Sequence, residues 1–261
     1  MRLFIESVGF AAPGLENWEQ ACAVLRSEAV YVPQELSVYQ PNLLPPNERR
    51  RAAPAMRLAF RIAEDAMSRS AFKPAELAAV FATSEADTSI LHRLCSALAE
   101  TQRAVSPTDF HNSVHNAAAG YWSIAAGAKL PSTSLSAYDA SFAAGLLEAA
   151  AVVNGDGHPV LLAAYDVRPP EPLYAVRSIA QPLGAALVLT AQRSERSLAQ
   201  ISLQSAAEPE TALDDASLES LRQCNPAGRA LPLLRLLAYG KAGSVVIAGV
   251  STRWRVDLEP A

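Results

Sequence analysis

Residues 132–153 have the sequence STSLSAYDASFAAGLLEAAAVV, and this stretch decides the fold. Its first part, 132–137, consists of small residues and one leucine, which predicts a short strand with close neighbours. From Asp139 to Val153 most side chains are alanine, leucine or valine, so the predicted helix is buried almost all round. The glycine-containing turn at 154–157 ends it. A buried strand that leads directly into a buried helix is typical of an α/β sheet covered on both faces.

The same alternation of strands and helices continues on both sides of that stretch. Short apolar runs bounded by turn residues predict strands at 3–10, 77–83, 159–165, 185–190 and 244–249, with 199–205 as the antiparallel neighbour of 185–190. Helical spacing predicts helices at 16–25, 48–70, 88–102 and 230–239, and a loop followed by a small-residue helix at 106–127. Between 206 and 225 the composition turns polar and acidic, which indicates a surface connection or a helix of modest stability.

Composition and charge argue against several classes of protein. With 261 residues, half of them hydrophobic, the chain can bury one substantial core. A formal charge of −4 and the lack of a basic run argue against a nucleic-acid partner. No apolar segment reaches the roughly 20 residues that span a bilayer. Because Glu6 interrupts the apolar N-terminus, no signal peptide is expected either.

Cysteines, glycines and histidines give no sign of a metal or cofactor. Cys22, Cys95 and Cys224 are widely spaced, which is typical of thiols in a reducing compartment, so we expect a cytoplasmic protein. The glycines at 155–157 match no phosphate-binding or dinucleotide pattern. A metal site would need a third ligand beside His111 and His115, and no glutamate follows His111. Buried hydrogen bonds at the start of a helix are the favoured interpretation of this pair.

The stretch 134–142 resembles the β-ketoacyl synthases, in which a small-residue strand leads into a nucleophilic cysteine at the N-terminus of a buried helix. Aligned without gaps, that cysteine falls on Asp139. Upstream, Asn116 with Ala119-Gly120 is similar to the family's Asn-x-x-Ala-Gly helix, and Pro107 stands at its entry loop. Downstream, 160–164 and 183–189 resemble the family's next two core strands, so the likeness covers about residues 2–189.

The departures from the family pattern concern the catalytic residues. Besides the nucleophile, a condensing synthase needs two histidines from its C-terminal half. All four histidines here, His92, His111, His115 and His158, precede the region that would match that half. The absence of both the nucleophile and these histidines is similar to the pattern of the chain-length factors of polyketide systems, in particular the short factors of bacterial aryl polyene clusters. Polyketide chain-length factors commonly have glutamine at the cysteine position, so Asp139 departs even from them.

The resemblance implies a fold, a role and a partner. The fold would be α/β and thiolase-like: the N-terminal half of a ketoacyl synthase over 1–205, and a reduced extension over 206–261 with a linker, a short helix and a strand packing on it. The role would be a non-catalytic subunit in a heterodimer with an active β-ketoacyl synthase, reached by an acyl carrier protein through that complex. The expected partner interface and acyl tunnel comprise Phe110, His111, His115, Asn116, Trp122, Ser134, Ser136, Tyr138, Asp139 and Phe142.

Two alternatives stay open at this point. One is a stand-alone enzyme acting on thioesters, either an acyl-carrier decarboxylase or a hydrolase that uses Ser141 with His111 or His115. The other is a self-paired scaffold. For Asp139 itself we favour a helix N-cap, since aspartate oxygens accept backbone N–H bonds there and typically contribute ~1 kcal/mol.

Overall fold

The computed structural model describes all 261 residues and shows one mixed sheet of eight strands. The strands are β1 (Arg2–Ala11), β2 (Ala78–Ala82), β3 (Ser132–Leu135), β4 (Val160–Asp166), β5 (Leu183–Thr190), β6 (Ala199–Ala206), β7 (Gly243–Ala248) and β8 (Arg253–Pro260). Their order across the sheet is β3-β2-β4-β5-β1-β6-β8-β7. Strand β2 is parallel to β3 and β4, and every other neighbouring pair is antiparallel. The two edges are therefore β3 and β7.

Helices cover both faces of this sheet. They are α1 (Trp18–Leu25), α2 (Pro46–Arg51), α3 (Pro54–Met67), α4 (Thr88–Ala99), α5 (Pro107–Asn112), α6 (Ala117–Ala126), α7 (Ser141–Gly155), α8 (Leu173–Val176), α9 (Ala216–Gln223) and α10 (Leu231–Tyr239). Short 3₁₀ turns lie at Pro74–Glu76, Tyr138–Ala140 and Pro226–Ala230. None of the helices combines the length and the apolar character needed to cross a membrane.

Two apolar cores lie on opposite faces of the sheet. The larger core contains α1, α7 and α10, and the smaller one is built on α3 and α6. Strands β2, β4 and β5 are buried along their whole length because both of their faces are covered. Residues 206–261 join the same sheet through β7 and β8 and the same larger core through α10.

The predicted thiolase-like α/β architecture is confirmed, with differences in detail. The helix expected over 48–70 is two helices, α2 and α3, because Pro54 disfavours helical backbone at the residue before it and cannot donate a helical hydrogen bond. The prediction that 199–205 pairs with 185–190 is wrong: β1 lies between them and pairs with both. Strand β8 was not predicted, since its charged side chains break the apolar run.

Helix α7 also differs from its prediction at both ends. It begins at Ser141 rather than Asp139, because residues 138–140 form a 3₁₀ turn. Its first ten residues are buried or half-buried, whereas the last turn carries exposed residues. The part of α7 next to the strand–helix junction is thus the part that packs into the core.

Candidate functional site

The carboxyl ends of three parallel strands meet at one place in the fold. Thr83 follows β2, Tyr138 lies shortly after β3, and Asp166 ends β4. Since these strands run in the same direction, the residues that follow them lie together at the carboxyl-terminal ends of the strands. In α/β proteins the carboxyl-terminal ends of the strands are the usual location of binding and catalytic sites.

The turn from β3 into α7 is held by local hydrogen bonds. The Ser141 hydroxyl accepts the Ala137 N–H at 3.0 Å and donates to the Tyr138 carbonyl at 2.7 Å. The Ser136 hydroxyl donates to the Ser84 carbonyl at 2.9 Å. Tyr138 has a φ of +55°, which is unusual for a bulky residue and persists only where the surroundings enforce it. The turn is therefore a defined strand–helix junction.

Asp139 is not the helix cap that we expected. Its carboxylate accepts a hydrogen bond from Arg177 at 2.7 Å, and neither the 3₁₀ turn nor α7 has a side-chain cap. The Arg177 guanidinium also contacts Glu85 at 2.9 Å and lies 3.7 Å from the centroid of the Tyr138 ring. Because the helix begins two residues later, the Asp139 side chain points to this cation instead of the backbone.

The charge on Arg177 is secured by its partners. Burial alone would lower the pKa of the Arg177 guanidinium, but the hydrogen bond and charge of Asp139, with further contributions from Tyr138 and Glu85, outweigh it and raise that pKa. Sequence reasoning missed both Arg177 and Glu85. Glu85 had a signal, since it follows the end of a buried strand, whereas Arg177 lies far along the chain from its partners.

Asp166 is a fully buried carboxyl group beneath the junction. Its Oδ1 accepts hydrogen bonds from the Thr83 hydroxyl at 2.9 Å, the Ser84 N–H at 2.8 Å and the Ser84 hydroxyl at 2.9 Å, while Oδ2 has no hydrogen-bond partner. Burial raises the pKa of Asp166 to about 7, although those hydrogen bonds and the charge of Arg177 oppose the rise. Near neutral pH both the protonated and the ionised form of the Asp166 carboxyl group are therefore populated.

The raised pKa of Asp166 predicts a pH-dependent stability. Because the folded chain holds this proton more tightly than the unfolded chain, the free energy of unfolding should fall as pH rises from about 4 to about 7. Asp166→Asn, which mimics the protonated group, should lack this fall and be more stable at pH 8 by on the order of 2–4 kcal/mol, since one pKa unit is worth about 1.4 kcal/mol. Thermal melts of both proteins between pH 4.5 and 8 measure the difference.

Asp257 provides a control of opposite sign. Hydrogen bonds from Ser244 and Arg255 lower the pKa of Asp257, so its contribution to stability is present above the pKa of the unfolded chain and is lost as pH falls through the folded value. Asp257→Asn should accordingly be less stable than the wild type at pH 8. If the melting temperatures of the Asp166 variant and the wild type changed with pH in the same way, the raised pKa of Asp166 would be contradicted.

The histidines do not assemble into a metal site or a catalytic group. His115 Nε2 lies 3.2 Å from the Thr83 carbonyl, and the His111 ring packs edge-on against Tyr121. No group of three His, Cys, Asp or Glu side chains could hold a metal ion. Ser141 is buried and both of its hydrogen bonds go to the backbone, so nothing in the structure favours the hydrolase alternative.

An apolar groove of about 590 Å³ lies beside α6, a size usual for small-molecule sites. Residues 43–45 and α2 form one wall, and α6 with the segment before it forms the other. His111 and Asn116 line it, as do Val114, Tyr121 and Ile124. The sequence had identified His111 and Asn116, but not the opposite wall.

The expected interface residues fall into two groups. Trp122 and Phe142 are fully buried, Trp122 against Phe60 and Phe81 in the smaller core and Phe142 in the larger, so neither reaches the surface that a partner could touch. The others lie at or near the surface: Phe110, His111, Asn116, Ser136, Tyr138 and Asp139 are exposed, and His115 and Ser134 are half-buried.

Five exposed apolar side chains lie on the segment of the chain between β2 and the open edge strand β3. Phe110 is 69% exposed, and Leu91, Leu98, Val114 and Ile124 are exposed as well. They belong to α4, α5, α6 and the segment between α5 and α6, which follow β2 in the chain and precede β3. A sheet edge with unpaired backbone groups, flanked by exposed apolar residues, is typical of an interaction surface.

Comparison with known proteins identifies the family. The family model described as beta-ketoacyl synthase, N-terminal domain, matches residues 18–255, which is most of the chain. A search of curated protein sequences finds no match.

Solved structures show the same relationship. A chain of the ketosynthase ApeO in complex with its chain length factor ApeC, from Xenorhabdus doucetiae, is similar at 25% identity and a TM-score of 0.73, with 98% of this chain and 99% of that chain covered. The ishigamide ketosynthase/chain length factor matches at 12% identity and a TM-score of 0.74, with 100% and 99% covered. A ketosynthase from module 1 of the bacillaene synthase of Bacillus amyloliquefaciens FZB42 is covered over only 50% of its length, at 14% identity over 85% of this chain and a TM-score of 0.55.

The chain belongs to the β-ketoacyl synthase family and has a thiolase-like fold, and over nearly its full length it is similar to a chain from a complex of a ketosynthase with its chain length factor.

Proposed function

We propose that this chain is a non-catalytic chain-length-factor subunit that pairs with an active β-ketoacyl synthase and helps to shape its acyl tunnel, in cytoplasmic polyketide or aryl polyene biosynthesis. The observation that carries the proposal is the likeness, over nearly the full length of both chains, to a protein from a complex of a ketosynthase with its chain length factor. In this role the chain binds no cofactor, and the acyl carrier protein reaches it through the complex.

The site supports a non-catalytic role. Asp139 stands where the family resemblance places the nucleophilic cysteine, and it is held in an ion pair with Arg177. A carboxylate in such an ion pair is a weak nucleophile toward a thioester, because its oxygen is engaged by the guanidinium. We infer that the acyl chain is carried by the partner and not by this subunit.

The surface beside β3 supports pairing with another sheet. On the side of β3 that faces β2, the backbone N–H groups of Ala79 and Thr83 donate hydrogen bonds to the carbonyl oxygens of Pro131 and Leu135. Since backbone groups alternate along a parallel strand, the N–H and carbonyl groups of Ser132 and Ser134 point to the open edge. An antiparallel strand from the synthase would pair with these groups, and the exposed apolar side chains of α4–α6 would pack beside it.

Residues 206–261 would replace part of what a full-length synthase supplies. The 3₁₀ turn at Pro226–Ala230 and α10 belong to the larger core together with α7. We infer that the division into a half domain at 1–205 and an extension at 206–261 has this purpose: the extension covers α7, so that the half domain is stable without a second half.

Co-purification tests the proposed function. The chain, tagged and expressed with a complete synthase from the same source, should form a one-to-one complex, and native mass spectrometry gives the stoichiometry. Thioester turnover by the isolated chain, without the synthase, would favour a stand-alone enzyme instead. A stable homodimer that does not bind the synthase would favour the self-paired scaffold.

Gly120 provides a test of the tunnel. It lies on α6 in the groove, and a Cβ atom added there meets no atom of the surrounding structure within 4 Å. Gly120→Leu should therefore be tolerated by the fold, and even favoured by ~0.5–1 kcal/mol of helix propensity, while it narrows the groove. With the synthase present, we expect the product distribution to shift toward shorter chains, as measured by liquid chromatography and mass spectrometry.

Gly120→Ala is the matched control, since it brings the same helix stabilisation with little added volume. It should leave product length unchanged. If Gly120→Leu abolished co-purification and Gly120→Ala did not, the groove would be filled by the partner's side chains and not by the acyl chain.

A further inference from the structure

Arg177 reaches the strand–helix junction from a distant part of the chain. It follows α8, and its partners come from two other segments: Glu85 after β2, and Tyr138 with Asp139 after β3. The Arg177 side chain is only 11% exposed, whereas the Asp139 side chain is 53% exposed and Tyr138 is 59% exposed. The cation is thus covered, while two of its three partners remain open to solvent.

The guanidinium occupies the space next to position 139. One of its nitrogens lies 2.7 Å from the Asp139 carboxylate, and its central carbon stands 3.7 Å from the Tyr138 ring centroid. A reactive group at position 139 would have to meet an acyl group within about the same 3–3.5 Å. An acyl group could approach position 139 on this side only if the Arg177 guanidinium moved away.

Several interactions hold the guanidinium there independently. If Asp139 is replaced, the ion pair with Glu85 and the stacking on Tyr138 remain. An arginine also keeps its charge at every physiological pH, so deprotonation does not release it. Loss of Arg177, by contrast, would leave Glu85 and Asp139 without their shared counter-ion.

We propose that Arg177 is a positioning residue that blocks the approach of acyl groups to position 139 from the side that the guanidinium occupies, so that this approach stays blocked even when a nucleophile is restored there. The inference rests on the proposed function, because hindered access to position 139 keeps the growing chain on the partner subunit. It adds a second barrier to acylation, separate from the loss of the cysteine.

The test measures access to a thiol placed at position 139. Asp139→Cys is made alone, with Arg177→Ala and with Arg177→Gln, and each full-length protein is treated with iodoacetamide or with a bulky polyethylene-glycol maleimide at one pH. Peptide mass mapping gives the rate at position 139 for each reagent. Because each reagent's rate is proportional to the same thiolate fraction, the ratio of bulky to small reagent rates reports access alone.

Removal of Arg177 should raise this ratio by about tenfold, since it uncovers a thiol whose reactivity depends on exposure. Arg168→Ala, combined with Asp139→Cys, is the matched control: Arg168 lies in the same connection between β4 and β5, is exposed, and has its guanidinium carbon 4.3 Å from the centroid of the Tyr174 ring, so the ratio should not change. An unchanged ratio in the Arg177 variants would overturn the proposal.

A second measurement does not depend on the folding of an Arg177 variant. In the Asp139→Cys protein that retains Arg177, the exposed Cys95 is an internal reference. The ratio at position 139 should be well below the ratio at Cys95, and equal ratios would show that the site is open. Since no synthase is present in these experiments, their failure would leave the pairing proposal standing.

Discussion

Asp139→Cys is expected to yield a protein that reacts with a small thiol reagent but forms no condensation product. A nucleophile is only one of the groups that the reaction requires. Decarboxylation of the malonyl unit and stabilisation of the developing oxyanion need further donors at fixed positions, and loss of one such donor costs about 3 kcal/mol in a typical enzyme. With acyl and malonyl carrier thioesters and no synthase, mass spectrometry should detect no product above the uncatalysed background.

The positions of the histidines explain why no donor replaces the missing ones. His158 precedes β4, so it lies at the opposite end of that strand from Asp166, at most about 26 Å away for eight residues at 3.3 Å each. His92 is on α4, and His111 packs on Tyr121 beside the groove. His115 is near the site but is engaged with the Thr83 carbonyl. Product formation clearly above background would show that this chain is a compact enzyme.

Ser134→Pro is expected to abolish pairing with the synthase while the chain itself still folds. Proline removes the backbone N–H that Ser134 directs to the open edge, and edge strands tolerate proline because that group has no partner within the chain. The bonds from β2 to Pro131 and Leu135 would be retained. Recovery of the synthase in co-purification should fall by at least about tenfold, which corresponds to 1.4 kcal/mol.

Ser134→Ala is the control for this substitution, since it keeps the backbone N–H and removes only the hydroxyl group. It should co-purify with the synthase as well as the wild type does. Circular dichroism melts of both variants separate a lost interface from a lost fold. A proline variant that folds and still binds the synthase would show that the partner does not extend the sheet at β3.

Much of the fold could be predicted because its central elements depend on local patterns. The apolar runs that form β2, β4 and β5 are buried on both faces, so no alternation is needed to recognise them. The strand–helix junction was recognised from small residues at 132–137 and the apolar helix after it. Strand β8 was not predicted from the sequence, because charged side chains at alternate positions, on its solvent side, interrupt the apolar pattern.

The candidate site could be predicted only in part. Tyr138 and Asp139 were placed correctly at the junction, since the chain leads there directly. The cap at Asp139 was wrong, because the choice between a backbone N–H and a guanidinium depends on whether a cation is present nearby. That cation, Arg177, lies 38 residues further along the chain, and no periodic pattern connects the two positions.

The sequence by itself determined the order of the elements, the buried strand–helix junction and the replacement of the nucleophile by Asp139, because each of these depends on residues adjacent in the chain. Only the tertiary structure decided that β1 separates β5 from β6, that Arg177 forms an ion pair with Asp139, and that Asp166 is buried with a pKa of about 7. The physical reason is that ion pairs, burial and strand order arise between segments far apart in sequence, where the geometry of packing selects the partner.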